Sequence, residues 1–232
     1  MRYLNDASEL SYGSGVFLEA CESVGAPPAV MEALRRGPGI VRNPQSVGIY
    51  VSCFCGDGDL LSQWRAYGGE GGIALGFDRV ELAGDDRESR MVRVVYERED
   101  QLRVARSFVA EVAAFAGKLA VDVDVASYWL AALAPGMMSR VVCFKDEAFS
   151  EESEWRLVSM RAPGVDAPLF RATPRLIVPF REKQFAPAVV REIVVGPTPF
   201  PDVVERSFRT FLAKAGYGHV TVQLSRIPLR SL

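Results

Sequence analysis

Between Ser150 and Met160 the chain reads SEESEWRLVSM. Extended backbone there puts Glu152, Glu154 and Arg156 on one face and turns Trp155 and Leu157 to the other. A carboxylate beside a guanidinium can hydrogen-bond a ribose hydroxyl or stabilise positive charge developing at a reacting carbon. The same trio can also serve as cross-strand ion pairs on a sheet face, and the residues alone leave both roles open. A second candidate lies on GIYVSCFC, Gly48 to Cys55, where alternation puts Tyr50, Ser52 and Phe54 on the face opposite Cys53 and Cys55. Ser52 between two aromatic side chains is a candidate ligand contact, although half-buried serines often bond the backbone instead. The third is a helix from Asp59 to Tyr67 with Asp59 as its cap. Leu60, Trp64 and Tyr67 recur there at i, i+4 and i+7 and face the core or a pocket wall. Gln63 and Arg65 flank them, and Arg65 beside a glycine-rich turn could hold a phosphate through its planar fork. That turn, Gly68 to Gly72, lacks the lysine-serine order of a P-loop and leads into a strand.

Other chemistries are harder to build. One histidine, His219, gives neither a Ser-His-Asp triad nor a histidine-rich metal site. Cys53 and Cys55 are one residue apart, too close for paired metal-ligand spacing, so the four cysteines read as inert thiols and no metal is expected. A net charge of -2 gives no footprint for nucleic acid. No spanning segment or signal peptide is read, since Lys118, Asp122 and Asp124 break the most apolar run; a cytoplasmic protein away from the membrane is expected.

These residues need a frame. A chain of 232 residues suits a single domain over 1–232, with roughly 70–75% of its extended surface buried. Two short helices are expected over Ser14–Val24 and Pro28–Arg36, the second stopped by Gly37-Pro38-Gly39. Strands follow at Ser46–Cys55, Gly72–Asp78 and Met91–Glu97. Apolar residues at helical spacing define a long helix over Asp100–Lys118, and a second runs over Val125–Val142, interrupted at Pro135-Gly136. Four strands come last, at Glu154–Arg161, Pro174–Phe180, Val189–Val195 and His219–Arg226, with a helix at Asp202–Ala215. Strands at both ends and helices in the middle predict an α+β fold, a twisted, mostly antiparallel sheet with helices grouped mainly on one side.

Four blocks resemble a bacterial family known as domain of unknown function 2971. They are YLNDASEL at Tyr3–Leu10, CFCGDGDLLSQWRAYGGEGGIALGFD at Cys53–Asp78, KDEAFSEESEWRLV at Lys145–Val158, and IVVGPTPFPD at Ile193–Asp202 with SRIPLR at Ser225–Arg230. The family pattern carries a strand with His-Tyr-Thr ahead of the first block. This sequence starts after it, as expected for an internal methionine start or a naturally short protein.

With that strand added, the layout is similar to ADP-ribosyltransferases, which hold NAD as substrate. The analogy puts Ser52 at the second-strand position and Glu154 at the later glutamate, with Glu152 completing a Glu-x-Glu pair. Glu154 would then bind the nicotinamide ribose and support its oxocarbenium-like transition state, while Glu152 orients or deprotonates the acceptor. The alternative is a non-catalytic module acting in a bacterial defence or toxin-type system. There Gln63, Trp64, Arg65, Tyr67, Glu154 and Arg156 would form a pocket for a nucleotide-like ligand or a protein partner, with Arg65 and Arg156 gripping an anion.

Overall fold

The computed structural model describes residues 9–41, 48–69, 71–84, 89–118, 134–161, 167–174 and 176–228. Outside them lie Tyr3 to Ser8 of the first block, Glu70 of the glycine-rich turn and residues 125–133 of the expected second long helix. In chain order the elements are α1 (Glu9–Ser23), α2 (Pro28–Val41), β1 (Gly48–Phe54) and α3 (Leu61–Gln63), which continues as a π-helical turn, Trp64–Gly68. Next come β2 (Ile73–Phe77), α4 (Arg79–Ala83), β3 (Ser89–Arg93), α5 (Arg98–Ala116) and α6 (Ala134–Val141). A 3₁₀ turn (Glu147–Glu152) leads into β4 (Trp155–Arg161), β5 (Leu169–Ala172) and β6 (Ile177–Phe180). A second 3₁₀ turn (Pro187–Val189), β7 (Val190–Val195), α7 (Pro201–Lys214) and β8 (Thr221–Leu224) complete the chain.

The fold is α+β with mostly antiparallel strand pairs, as strands at both ends with helices between them predict, and the strands are shared among three sheets. The chain divides into two compact units, Met1–Phe54 with Arg87–Arg181 and Cys55–Asp86 with Glu182–Leu232.

In the first unit β4 is the central strand, with β1 and β3 antiparallel on either side. Helices α1, α2, α5 and α6 pack on one face of this sheet, so they group on one side as expected. Ile49, Val51, Val92, Val158 and Met160 meet a core built from Phe17, Phe108, Val109, Met137, Met138, Val141 and Phe144. The α5 stripe follows its periodicity at Leu102, Phe108, Val109 and Val112, which are buried with Ala105, but Phe115, expected in the same stripe, is exposed near the helix end, and Leu119 lies outside the described residues. Phe17 stacks on Phe144 at 5.9 Å and meets Phe108 edge-on at 5.8 Å between ring centroids. Helices α1 and α6 approach closely at Gly13, where a Cβ would lie 2.8 Å from a Val141 methyl. The strands β5 and β6 form a separate hairpin; β5 has too little apolar alternation to be seen in the sequence.

The second unit is built on the three-stranded order β2-β7-β8. The β7–β8 pair is parallel, which needs a crossover, and α7 supplies it. Val190, Ile193, Val195, Leu212, Val220 and Val222 form its core. Asp78 caps α4 by accepting from the N–H groups of Val80 and Glu81, both at 3.0 Å.

One sequence expectation is revised: helix α2 does not stop at Gly37 but runs to Val41, because proline's fixed φ is compatible with helical backbone even though it forgoes a backbone hydrogen bond. Of the expected second long helix, Ala134–Val141 is helical and includes Pro135 and Gly136, while residues 125–133 lie outside the described residues.

Candidate functional site

The helix-covered face of the first sheet ends in a charged cluster. Arg156 is 1% exposed and Glu154 4%. Two residues apart, they point the same way and form a two-pronged pair, Nε to Oε1 at 2.8 Å and Nη2 to Oε2 at 2.9 Å. The other Arg156 donors reach the Val142 carbonyl at 2.5 Å and the Glu9 carboxylate at 2.9 Å. Lys145 bonds Glu152 at 2.5 Å and Glu154 at 3.2 Å, and lies 3.7 Å from Glu9. Three carboxylates and two cations therefore share one site, with burial decreasing from Arg156 outward to Glu152.

The electrostatics follow from that pairing. Burial pushes the Glu154 carboxyl up, but hydrogen bonds from Arg156 and Cys53 and the charges of Arg156 and Lys145 outweigh it and hold the group below its ordinary range. Burial works against charge on Lys145 as well, yet Glu152 and Glu154 raise its pKa. The Cys53 thiol is pushed up to about 12, first by burial of the sulfur and then by its hydrogen bond to Glu154. Cys53 is an exposed residue overall, but that bond turns its sulfur inward. A thiol so held is a donor and not a nucleophile.

The route by which Glu152 joins Glu154 differs from the expected one. The chain is not extended at Glu152, which ends a 3₁₀ turn, and Ser153 sits in the left-handed region at φ 45°. Strand β4 begins only at Trp155. Glu152 and Glu154 meet because Lys145 bridges them, not because they alternate along a strand. The N–H of Glu154 donates to the Tyr96 hydroxyl at 2.9 Å. Gln101, fully buried, ties the same region: its amide donates to the carbonyls of Val95, Tyr96 and Lys145 and its oxygen accepts from Tyr12. Glu9, Lys145, Tyr96 and Gln101 were missed from sequence. Glu9 and Lys145 sit inside the resembling blocks, which was the available signal; Tyr96 and Gln101 carried none.

Strand register fixes which residues share the sheet's other face. Tyr50 opposes Ser159, Ser52 opposes Leu157 and Phe54 opposes Trp155 on β4, while Met91 and Arg93 of β3 oppose Leu157 and Trp155. Gly48 opposes Arg161. This face therefore carries Tyr50, Ser52, Phe54, Trp155, Arg93 and Arg161, with Leu157 buried between them. Ser89 donates to Ser159 across it at 3.2 Å. The Tyr50 ring lies over Gly48, where a Cβ would come within 2.9 Å of it, and the Arg181 guanidinium sits 5.3 Å from the ring centroid. Ser52 is exposed. It stands on the face opposite Glu154, because Cys53, which bonds Glu154, is its immediate neighbour.

Gln63, Trp64, Arg65 and Tyr67 belong to the second unit. The Trp64 indole donates to Asp59 at 2.9 Å. Asp59 also accepts from the Ser225 hydroxyl and, at 2.8 Å, from the Arg226 N–H. It does not cap the helix, whose N-cap is Leu60 without a side-chain bond. Burial raises the Asp59 carboxyl, but its bonds from Ser225, Arg226 and Trp64 bring it below its ordinary range. Three glycines fit around the Trp64 ring and the Gly68 backbone. A Cβ would lie 2.8 Å from the ring at Gly68, 3.0 Å from it at Gly196, and 2.2 Å from the Gly68 carbonyl oxygen at Gly72. Close packing thus accounts for Gly68 and Gly72 of the turn, whereas Gly69 and Gly71 meet nothing within 4 Å and take left-handed backbone at φ 54° and 72°. Tyr67 is 70% exposed and does not continue the Leu60–Trp64 stripe, since the wider π turn breaks the i, i+3 spacing.

The resembling blocks thus sort into two constellations. Glu9, Cys53, Lys145, Glu152, Glu154 and Arg156 gather in the first unit; Asp59, Trp64, Gly72, Gly196, Ser225 and Arg226 gather in the second. Among the described residues no group of three or more histidines, cysteines or carboxylates could hold a metal ion. No described helix is long and apolar enough to cross a membrane.

Fold and site together define an α+β protein with antiparallel-rich sheets and a buried ion network. A family model described as Protein of unknown function (DUF2971) matches residues 63–157, and over that stretch the chain is similar to that family. The match includes Lys145, Glu152, Glu154 and Arg156 of the first constellation and Trp64 and Gly72 of the second, while Glu9, Cys53, Asp59, Gly196, Ser225 and Arg226 lie outside it. Neither the curated proteins nor the solved structures hold a match to the chain.

Proposed function

We propose that this protein is a non-catalytic binding module that holds a nucleotide-like ligand on the sheet face opposite the helices. The observation that carries the reading is the make-up of that face: aromatic Tyr50, Phe54 and Trp155, hydroxyl-bearing Ser52 and Ser159, and arginines 93 and 161 on paired strands. Aromatic rings stack on bases, hydroxyls bond ribose, and guanidinium forks suit phosphate. On this reading the buried ion network is the scaffold that holds β4 in place. Arg156 grips Glu154, Glu9 and the Val142 carbonyl and not an external anion.

The transferase reading needs Ser52 and Glu154 on one ligand and a carboxylate open toward it. Ser52 and Glu154 stand on opposite strand faces, and both Glu154 oxygens are engaged by Arg156. Its one supporting feature is the Glu152–Glu154 pairing across Lys145. A thermal-shift titration with NAD, ADP-ribose and ATP separates the two. A ligand at one hundred times its Kd adds about 2.7 kcal/mol, a rise of roughly 5–10 °C for a chain this size. The binding-module reading expects that increment to vanish in Trp155→Ala and to survive in Glu154→Gln. Nicotinamide release from NAD, lost in Glu154→Gln, would overturn it in favour of the transferase.

A further inference from the structure

In the second unit, helix α7 leaves part of its sheet face open. Val204, Phe208 and Leu212 of the helix pack with Ile193, Val195 and Val222 of β7 and β8. On β2, Ile73 and Leu75 directly oppose Val195 and Ile193 and so share their face, yet both stay exposed. The two flanks of α7 differ accordingly. Arg209 bonds Glu205 and donates to the Val222 carbonyl of β8 at 3.1 Å, which fixes that flank at the β8 edge. A helix turns about 100° per residue, so Phe211, two residues on, and Phe200, nine residues back at the helix entrance, stand on the opposite flank, toward β2. Val203 lies beside Phe200 on the solvent side. Ile73, Leu75, Phe200, Val203 and Phe211 are between 40% and 65% exposed. They line a trough with β2 as its floor and α7 as one wall, and Phe185, edge-on to Phe77 at 5.5 Å, stands at the Phe77 end. Single exposed apolar residues are ordinary, but these adjoin in a patch on the order of 400–500 Å².

We infer that this trough docks an amphipathic helix of a partner protein, about three turns long, with an apolar face and carboxylates on the flank next to α7. The site lies wholly in the second unit and is independent of the nucleotide reading above. Its length follows from β2, whose five residues extend about 17 Å, or about eleven residues of helix. Packed helices lie about 8–10 Å apart, close to two strand spacings. A helix alongside α7 therefore rests over β2 and covers an edge strand of the sheet. The charge follows from the rim of α7. Arg206 and Lys214 are exposed there, and neither has an ion-pair partner among the described residues. The carboxylates of α7, Asp202 and Glu205, sit on the Arg209 flank, so acidic groups must come from the occupant. A second copy fits less well, because it would bring two sets of these cations to one interface. A bilayer would rest on α7 and miss β2, which lies a full layer lower. With the partner's share the interface is about 1,000 Å², the low end for specific complexes, so micromolar binding is expected.

The test selects on the full chain a display library of helical peptides, about fourteen residues long, with apolar residues fixed at i, i+3, i+4 and i+7 and the other positions randomised. Enriched peptides should be acidic and bind with micromolar Kd by fluorescence anisotropy. Phe211→Gln and Leu75→Thr change exposed side chains on the wall and the floor; with circular dichroism unchanged, each should weaken binding ten-fold or more. Lys214→Glu or added salt should weaken it at least three-fold. No enrichment over an unrelated protein would overturn the inference, as would affinity unchanged in both Phe211→Gln and Leu75→Thr. Peptides without acidic bias that bind Lys214→Glu equally would overturn the acidic partner. Sedimentation of the chain alone as a dimer that Phe211→Gln dissolves would replace the partner by a second copy. Binding to anionic vesicles, lost in Phe211→Gln and kept in Leu75→Thr, would replace it by a lipid surface.

Discussion

Replacing Arg156 with methionine tests whether the ion network is a scaffold. The wild-type side chain is 1% exposed and makes four hydrogen bonds, two to Glu154 and one each to Glu9 and the Val142 carbonyl. Methionine fills much of the volume but leaves two largely buried carboxylates facing one lysine, which lies 3.2 Å from Glu154 and 3.7 Å from Glu9. Removing one partner of a buried pair costs about 3–5 kcal/mol, because the remaining charge loses its compensation. For a chain this long that is a fall in Tm of roughly 6–20 °C. Urea unfolding followed by far-UV circular dichroism gives the free energy directly. Glu154→Gln and the double variant complete a cycle, in which the double should cost less than the sum of the singles by about 0.5–3 kcal/mol. A loss below about 1 kcal/mol for Arg156→Met, the range of solvent-exposed ion pairs, would refute the scaffold argument. So would a cycle with no coupling.

Further outcomes follow from the same geometry. The Glu154 carboxyl is held below its ordinary range, so its contribution to stability is complete above the ordinary carboxylate pKa and is lost as pH falls through the depressed value. Acid unfolding of Glu154→Gln should accordingly show a shallower pH dependence than wild type. Cys53 should alkylate slowly despite its exposure: a thiol moved from 9.0 to about 12 holds about a thousandth of the ordinary thiolate at pH 8, and Glu154→Gln should speed the reaction, as peptide mass spectrometry would record. Gly72→Ala should destabilise the chain by about 1–3 kcal/mol or more, because its Cβ would meet the Gly68 carbonyl at 2.2 Å; a variant of wild-type stability would show that the turn is not packing-limited. Asp59→Ala removes the acceptor shared by Trp64, Ser225 and Arg226 and should cost about 1–3 kcal/mol, with Trp64 emission shifting to the red.

Local pattern carried the secondary structure a long way. The i, i+3, i+4 recurrence of Leu102, Phe108, Val109 and Val112 gave α5 and its buried face, and period-two alternation gave the two faces of β1 with Tyr50, Ser52 and Phe54 together. Both follow from backbone geometry that neighbouring residues share, so a single sequence contains them. The same logic failed at Glu152, where a left-handed Ser153 breaks the extension, and at Tyr67, where the helix widens to a π turn. Neither feature leaves a mark in residue type.

The composition of the ion network was decided by tertiary structure alone. Glu9 meets Arg156 across 147 residues of chain, and Asp59 meets Ser225 across 166. Sequence shows that Glu154 and Arg156 lie close and point the same way, but a carboxylate two residues from a guanidinium serves equally as catalyst, ligand contact or buried brace. Packing chose among these: the helices bury one face of β4, and a charge carried into that interior must find its partners there.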